Sequence, residues 1–194
     1  MGGGDGVEDT AAEKDRLRAE LTRARAARPQ AERDVDRAAL RDLVLDGLAG
    51  ADCVAAYEPL RTEPGSTELL AALHGRGVRV LVPVTMPDRD LDWAQWTADG
   101  VGPMLGRVAI AAAGLALVPA LAVAADGTRL GRGGGSYDRA LARCAPGARL
   151  VALLFDGELV ARLPRDPWDR PVSEVVTPAG WARVGRNTEV ADYS

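Results

Sequence analysis

The sequence predicts an α/β fold: a single-domain three-layer sandwich in which a largely parallel sheet is covered by helices on both faces. Three observations predict it. Short apolar runs of strand length alternate with segments whose apolar residues recur at helical spacing, the pattern of consecutive strand-helix units. A chain of 194 residues is long enough for one well-buried domain and short for two. Its glycine-dense block, Gly131 with Gly133, Gly134 and Gly135, lies between a strand-like run and a helix opening.

Residues 1–8 are glycine-rich and polar and read as a disordered tail, leaving 9–194 as the single domain. Thr10-Ala11-Ala12-Glu13 is a capping-box pattern that opens a helix, and Pro29 ends it. Leu17, Leu21 and Ala24 form its expected apolar face, with Lys14, Arg18 and Arg25 as a cationic stripe on another side. A second helix spans about 31–48 and turns Val35, Ala39, Leu43 and Val44 inward. Residues 53–57 read as a strand, 66–76 as a helix stopped by Gly75 and Gly77, and 78–82 as a strand. The alternation over 91–96 suggests an edge strand, and the Pro/Gly-rich 99–106 a loop. The run 115–123 is the expected central strand, closed by an Asp126-Gly127 turn signal. Ser136 is the expected N-cap of a helix to Cys144, with Tyr137, Ala140, Leu141 and Cys144 on one face. A buried strand over 150–155 and a short final one over 174–177 complete the pattern.

Hydrophobic content of 47% with 27% charged residues is that of a soluble globular domain. A net charge of −4 lacks the basic footprint of nucleic-acid binding. No apolar run reaches membrane-spanning length and no signal-peptide pattern opens the chain, so a cytoplasmic location is expected. Cys53 and Cys144 are too few for a disulfide framework, and both read as buried. His74 is the only histidine and lies on an apolar helix, which argues against a zinc cluster or a Ser-His-Asp device.

Chemistry concentrates in residues 128–139. Glycines let backbone N–H groups approach a ligand with no Cβ in the way, and Arg129 and Arg132 add two guanidinium groups. Strand, glycine-arginine loop and helix opening together suit phosphate binding, and Asp138 adds a carboxylate that a magnesium ion could bridge to phosphates. Neither GxGxxG nor GxxxxGK[ST] is present. On chemistry alone the segment also fits a tight strand-to-helix connection with solvated arginines. Lys14 is the only lysine among 24 basic side chains. With Arg18 one turn later it could grip phosphate from outside the loop, or form a solvated basic face.

The run Val118-Pro119-Ala120-Leu121-Ala122-Val123 followed by Gly127-Thr128-Arg129-Leu130-Gly131-Arg132-Gly133-Gly134-Gly135-Ser136-Tyr137-Asp138-Arg139 resembles the signature of the 5-formyltetrahydrofolate cyclo-ligase family. That family typically reads P-A-L-A-F-D…G-x-R-L-G-R-G-G-G-Y-Y-D-R. Weaker blocks follow in family order: Lys14 to Arg18, Glu63 to Thr67, Val80-Leu81-Val82-Pro83, and Asp169 with Val175-Val176-Thr177.

The resemblance implies a fold of the sugar-phosphate-isomerase and CoA-transferase type, and ATP-dependent cyclisation of 5-formyltetrahydrofolate to 5,10-methenyltetrahydrofolate by a monomer, with Mg2+. It implies an ATP site of Lys14, Arg18, Arg129, Gly131, Arg132, Gly133, Gly134, Gly135, Ser136 and Tyr137, with Arg132 and Lys14 catalytic. The implied folate site is Glu63, Tyr57, Trp93 and Tyr137; Asp138 and Asp169 would hold the metal. Departures leave alternatives open. Ser136 replaces the family's first Tyr. Trp168 stands before Asp169, where the family has His or Asn, and Asp166 is a rival to Asp169. The Glu63–Thr67 spacing is one residue longer than usual, so Glu58 and Glu68 compete with Glu63. Trp93 reads either as a pterin-stacking ring or as a half-buried strand residue. Two other functions fit the same fold: a sugar-phosphate isomerase-like enzyme and a non-catalytic folate-binding relative.

Overall fold

The computed structural model describes residues 5–185. Helix α1 (Asp5–Ala27) starts upstream of the Thr10 capping box, because no proline breaks the segment before it. Residues 5–8 of the expected tail are therefore helical, and residues 1–4 lie outside the described part. The two expected stripes of α1 are one. At about 100° per residue, positions seven and eleven apart return to nearly the same line. Lys14 and Arg25 are buried, Leu17, Arg18 and Leu21 are half-buried beside them, and Ala24 is exposed.

Pro29 separates α1 from α2 (Gln30–Asp46), since its fixed φ of −57° and extended ψ of 143° interrupt the helical path. Leu40, Val44 and Leu45 of α2 are buried, whereas Val35, expected inward, is 70% exposed. Helix α3 (Thr67–Gly75) is capped by the Ser66 hydroxyl, which accepts from the Leu69 N–H at 3.1 Å.

The main sheet has eight strands in the order β11-β10-β8-β5-β1-β2-β3-β4. These are β1 (Cys53–Ala55), β2 (Arg79–Thr85), β3 (Leu91–Thr97), β4 (Gly100–Met104), β5 (Leu115–Val118), β8 (Arg149–Leu153), β10 (Glu174–Thr177) and β11 (Gly180–Arg183). The central run from β10 to β2 is parallel; β3, β4 and β11 extend it antiparallel at both sides. Side chains alternate across it with the period of two that strand geometry dictates. Val54, Leu115, Leu117, Val151 and Leu153 face α2 and α3 in one core. Ala55, Ala116, Val118, Ala152 and Leu154 face the other core, which holds Ile110 and residues of α4 (Ser136–Leu141). That is the expected three-layer arrangement.

The structure corrects several expectations. Strand β3 is internal, because the Pro/Gly segment expected as a loop supplies the edge strand β4; Pro103 is tolerated on an edge. The run 115–123 is not one strand. It leaves the main sheet at Pro119 and re-enters a second, three-stranded sheet of order β7-β6-β9, formed by β6 (Ala122–Ala124), β7 (Arg129–Leu130) and β9 (Leu159–Val160). The Asp126-Gly127 turn joins β6 to β7, with Asp126 Oδ1 accepting from the Thr128 N–H at 2.9 Å. A Cβ at Gly127 would lie 2.5 Å from the Val172 carbonyl oxygen, so only glycine fits there. The N-cap of α4 is Gly135 in the left-handed region, not Ser136. Cys53 is buried and Cys144 only half-buried, both as free thiols.

Candidate active site

A cleft of about 610 Å³ opens at the carboxyl ends of β1, β2 and β5, between the two sheets and beneath α1. The chain leaving each parallel strand end supplies part of its wall: Tyr57 to Glu63 after β1, Thr85 at the end of β2, and Pro119 to Leu121 after β5. Crevices of open parallel sheets form where these loops diverge.

The glycine loop forms a second wall. Gly133, Gly134 and Gly135 have φ of 99°, 96° and 67°, three consecutive positive values that side-chain-bearing residues rarely adopt. Gly131 leaves room for the Arg129 guanidinium: a Cβ there would meet Nη1 at 2.7 Å and push that side chain aside. The loop is pinned from two sides. Arg18 Nε donates to the Gly131 carbonyl at 3.0 Å, and Ser136 Oγ and Arg139 Nη2 donate to the Arg89 carbonyl at 2.5 and 2.6 Å. Arg89 itself has a φ of 62° in the β2–β3 turn, which is held to the turn following α4 by the Arg143–Asp90 ion pair at 2.5 Å.

At one end of the cleft, Lys14 Nζ donates to Asp166 Oδ2 at 2.7 Å and to Asp169 Oδ2 at 2.5 Å. Burial pulls the ammonium pKa down, but the two carboxylates more than offset it and hold it above the ordinary lysine value. Asp166 and Asp169, rivals in the sequence, share one cation. The Arg170 N–H donates to Asp138 Oδ1 at 3.1 Å, and Arg129 Nη2 donates to the same oxygen at 2.9 Å. Arg129 is therefore committed to Asp138 and to the Pro119 carbonyl, and its side chain is nearly fully buried.

Opposite, Glu63 is buried and accepts from Arg132 Nε at 3.0 Å through Oε1, and from the Leu60 N–H at 2.9 Å through Oε2. Arg37 of α2 fixes this loop by donating to the carbonyls of Arg61 and Glu63 at 2.6 and 2.8 Å. Of the competing carboxylates, Glu58 reaches the cleft rim exposed, while Glu68 sits on α3 outside it. Tyr57 and Tyr137 also line the cleft, Tyr137 with its ring centroid 6.0 Å from Arg129 Cζ. Burial raises both phenol pKa values, Glu63 adds to the effect, and the Tyr137 hydroxyl has no hydrogen-bond partner among the described residues.

The cleft thus gathers Lys14, Arg18, Tyr57, Glu63, Arg129, Gly131, Arg132, Gly133, Gly134, Gly135, Ser136, Tyr137, Asp138 and Asp169. Trp93 is the exception. It is 1% exposed, packed in the core beneath β3, and offers no face to a ligand. Its place on a strand covered on both sides explains the burial. Arg25 and Trp168 also line the cleft without having been predicted. Arg25 was detectable from its eleven-residue spacing to Lys14; Trp168 stands directly beside Asp169.

No group of three or more His, Cys, Asp or Glu side chains suited to a metal ion occurs among the described residues. Asp138 and Asp169 each engage a cation through one oxygen and leave the other without a hydrogen bond among the described residues. Such a pair is too small for an all-protein cage. It fits magnesium, which takes one or two carboxylates and completes its octahedron with phosphate oxygens and water.

A 5-formyltetrahydrofolate cyclo-ligase of Mycolicibacterium smegmatis is 37% identical over 181 residues, covering 85% of this chain and 93% of that protein. The 5,10-methenyltetrahydrofolate synthetase of Mycoplasma pneumoniae shares the fold with a TM-score of 0.73 at 19% identity, over 86% of this chain and 99% of that one. The synthetase of Aquifex aeolicus does so with a TM-score of 0.69 at 24% identity, over 93% and 97%. The profile of the 5-formyltetrahydrofolate cyclo-ligase family matches residues 10–178, from α1 through the last parallel strand and across every wall of the cleft. The chain belongs to the 5-formyltetrahydrofolate cyclo-ligase family.

Proposed function

We propose that this protein catalyses the ATP-dependent cyclisation of 5-formyltetrahydrofolate to 5,10-methenyltetrahydrofolate, releasing ADP and phosphate. The observation that carries the reading is the Arg132–Glu63 contact, which brings the glycine-arginine loop and the acidic loop after β1 to face each other in one cleft. A polyphosphate and a second, nitrogen-rich substrate then meet between them.

The chemistry requires activation of a poor leaving group. Transfer of the γ-phosphoryl group to the formyl oxygen makes that oxygen a phosphate ester; N10 attacks the formyl carbon, and phosphate departs with the oxygen. Little of this asks for a protein nucleophile. It asks for in-line placement and for positive charge around the transferring group. Arg132 supplies a half-exposed guanidinium whose Nη atoms have no protein acceptor among the described residues. Gly133 to Gly135 bring backbone close, and Arg18 fixes their path. Lys14 organises Asp166 and Asp169, and Glu63 holds the folate. Asp138 and Asp169 would hold magnesium, whose charge offsets that of the phosphates when bound. An isomerase-like reading is not favoured by the family assignment.

The test is direct: the protein is mixed with 5-formyltetrahydrofolate, ATP and magnesium, and the absorbance of the methenyl product is followed. Product that depends on both ATP and protein supports the reading. Folded protein that gives none under those conditions overturns it, whether the protein is a binding relative or an isomerase.

A further inference from the structure

We propose that the indole of Trp168 is the stacking platform for the base of the bound nucleotide, a site that rests on the ATP reading above. Trp168 is 64% exposed, while Trp93 and Trp96 are buried and Trp181 is half-buried with its Nε1 donating to the Leu43 carbonyl. Exposed on the wall of the cleft, the ring leaves an aromatic face open to a planar ligand.

The turn that carries the ring is fixed at both ends. The Asp169 N–H donates to the Asp166 carbonyl at 3.1 Å, and the Asp166 N–H donates to Asp169 Oδ2 at 2.9 Å. Lys14 clamps both carboxylates, and the next residue, Arg170, is tied through its N–H to Asp138. The ring is therefore held out on an ordered turn, so a planar ligand can stack on it without ordering the backbone first.

Its position selects the nucleotide rather than the pterin. Of the other aromatic rings lining the cleft, Tyr57 follows β1 on the chain that leads to Glu63, and Tyr137 already lies against the Arg129 guanidinium, with Cζ 6.0 Å from the ring centroid. Trp168 lies on the turn between Asp166 and Asp169, whose carboxylates converge on Lys14, and two residues before Arg170, whose N–H meets Asp138, at the end suited to phosphate and magnesium. Phosphate-binding groups alone cannot tell a nucleotide from inorganic polyphosphate, because the oxygens they touch are common to both. An aromatic face beside them supplies that distinction, since a purine base stacks and a bare phosphate does not.

Calorimetric binding of Mg·ATP, inorganic tripolyphosphate and 5-formyltetrahydrofolate to wild type, Trp168→Ala and Trp168→Phe tests this. Trp168→Ala should weaken ATP about tenfold, as expected for a base lifted off an aromatic ring. Tripolyphosphate and folate binding should stay unchanged, and Trp168→Phe should recover most of the loss. Equal ATP binding in wild type and Trp168→Ala overturns the proposal. So does a loss confined to folate, which would give the ring to the pterin. Wild-type protein that binds folate but no ATP overturns the nucleotide reading itself, and the base site with it.

Discussion

Arg132 reaches Glu63 through Nε alone, so the part of its guanidinium able to grip two oxygens at once remains available. Arg129, its neighbour in the motif, is spent on Asp138 and a backbone carbonyl. The two arginines look equivalent in the sequence and differ in the fold. Arg132→Ala should lower kcat/KM by about 10²- to 10³-fold, the usual cost of losing a donor to developing charge, with the circular dichroism spectrum unchanged. Steady-state kinetics checks it, and a folded variant with unaltered turnover would remove Arg132 from the chemistry. Lys14 is bound more tightly by its surroundings: a compact ammonium shared by two aspartates in a buried site. The longer planar fork of arginine cannot occupy that place without displacing one carboxylate. Lys14→Arg should therefore raise the apparent ATP constant several-fold, about 1–2 kcal/mol for a displaced charge-assisted contact. Folate saturation should move less. Superimposable ATP curves would leave phosphate binding to the glycine loop alone.

At the scale of elements, α1 is joined to the rest of the molecule largely through long cationic side chains. Beside Lys14 and Arg18, Arg25 makes a buried two-pronged ion pair with Glu158 at 2.7 Å and donates to the Ala120 carbonyl, while Arg28 lies 4.6 Å over the Phe155 ring. Removing one partner strands a charge in the interior. Glu158→Ala should cost about 3–5 kcal/mol in denaturant unfolding, and replacing Arg25 and Glu158 together by Met should recover much of it. If the single variant is as stable as wild type, the pair does not anchor the helix. This anchoring also marks where the sequence was hard to read. Periodicity located α2, α3 and the parallel strands through their apolar patterns, while the capping box and Pro29 located α1. It failed where a polar stripe faces inward, as on α1. It failed where an apolar run continues through a change of sheet, as at Pro119, and where a weak strand such as β4 is recruited by its neighbour's unpaired backbone.

At the scale of the whole molecule, the cleft residues were legible because the glycine-arginine block is dense and specific, and the other residues could be placed around it. Trp93 was misread because a single position does not reveal that its strand is covered on both sides. Trp168 was overlooked as a contributor because exposure is a property of the fold. The assembled molecule also carries a pH signature. The Arg143 guanidinium, helped by the Leu91 N–H and by Arg107, outweighs burial and holds the Asp90 carboxyl at about 2, and Arg149 holds Glu174 below its ordinary value. A folded pKa below the unfolded one means that the unfolded chain takes up protons first as pH falls. The stability these groups contribute is complete above roughly pH 5, given unfolded carboxyl values of about 4. It is lost as pH drops toward 2. Denaturation midpoints should fall through that window, and Asp90→Asn should flatten the fall; an identical slope would assign acid sensitivity to other groups. The Arg132–Glu63 pair has a further consequence for substrate order. Each substrate must draw one member of the pair away from the other, so whichever arrives first breaks a contact that the second no longer has to break. Free-energy linkage makes this reciprocal: ATP should tighten folate binding by the same factor as folate tightens ATP, and Glu63→Gln should shrink both factors together, as binding isotherms taken with and without the second ligand would record.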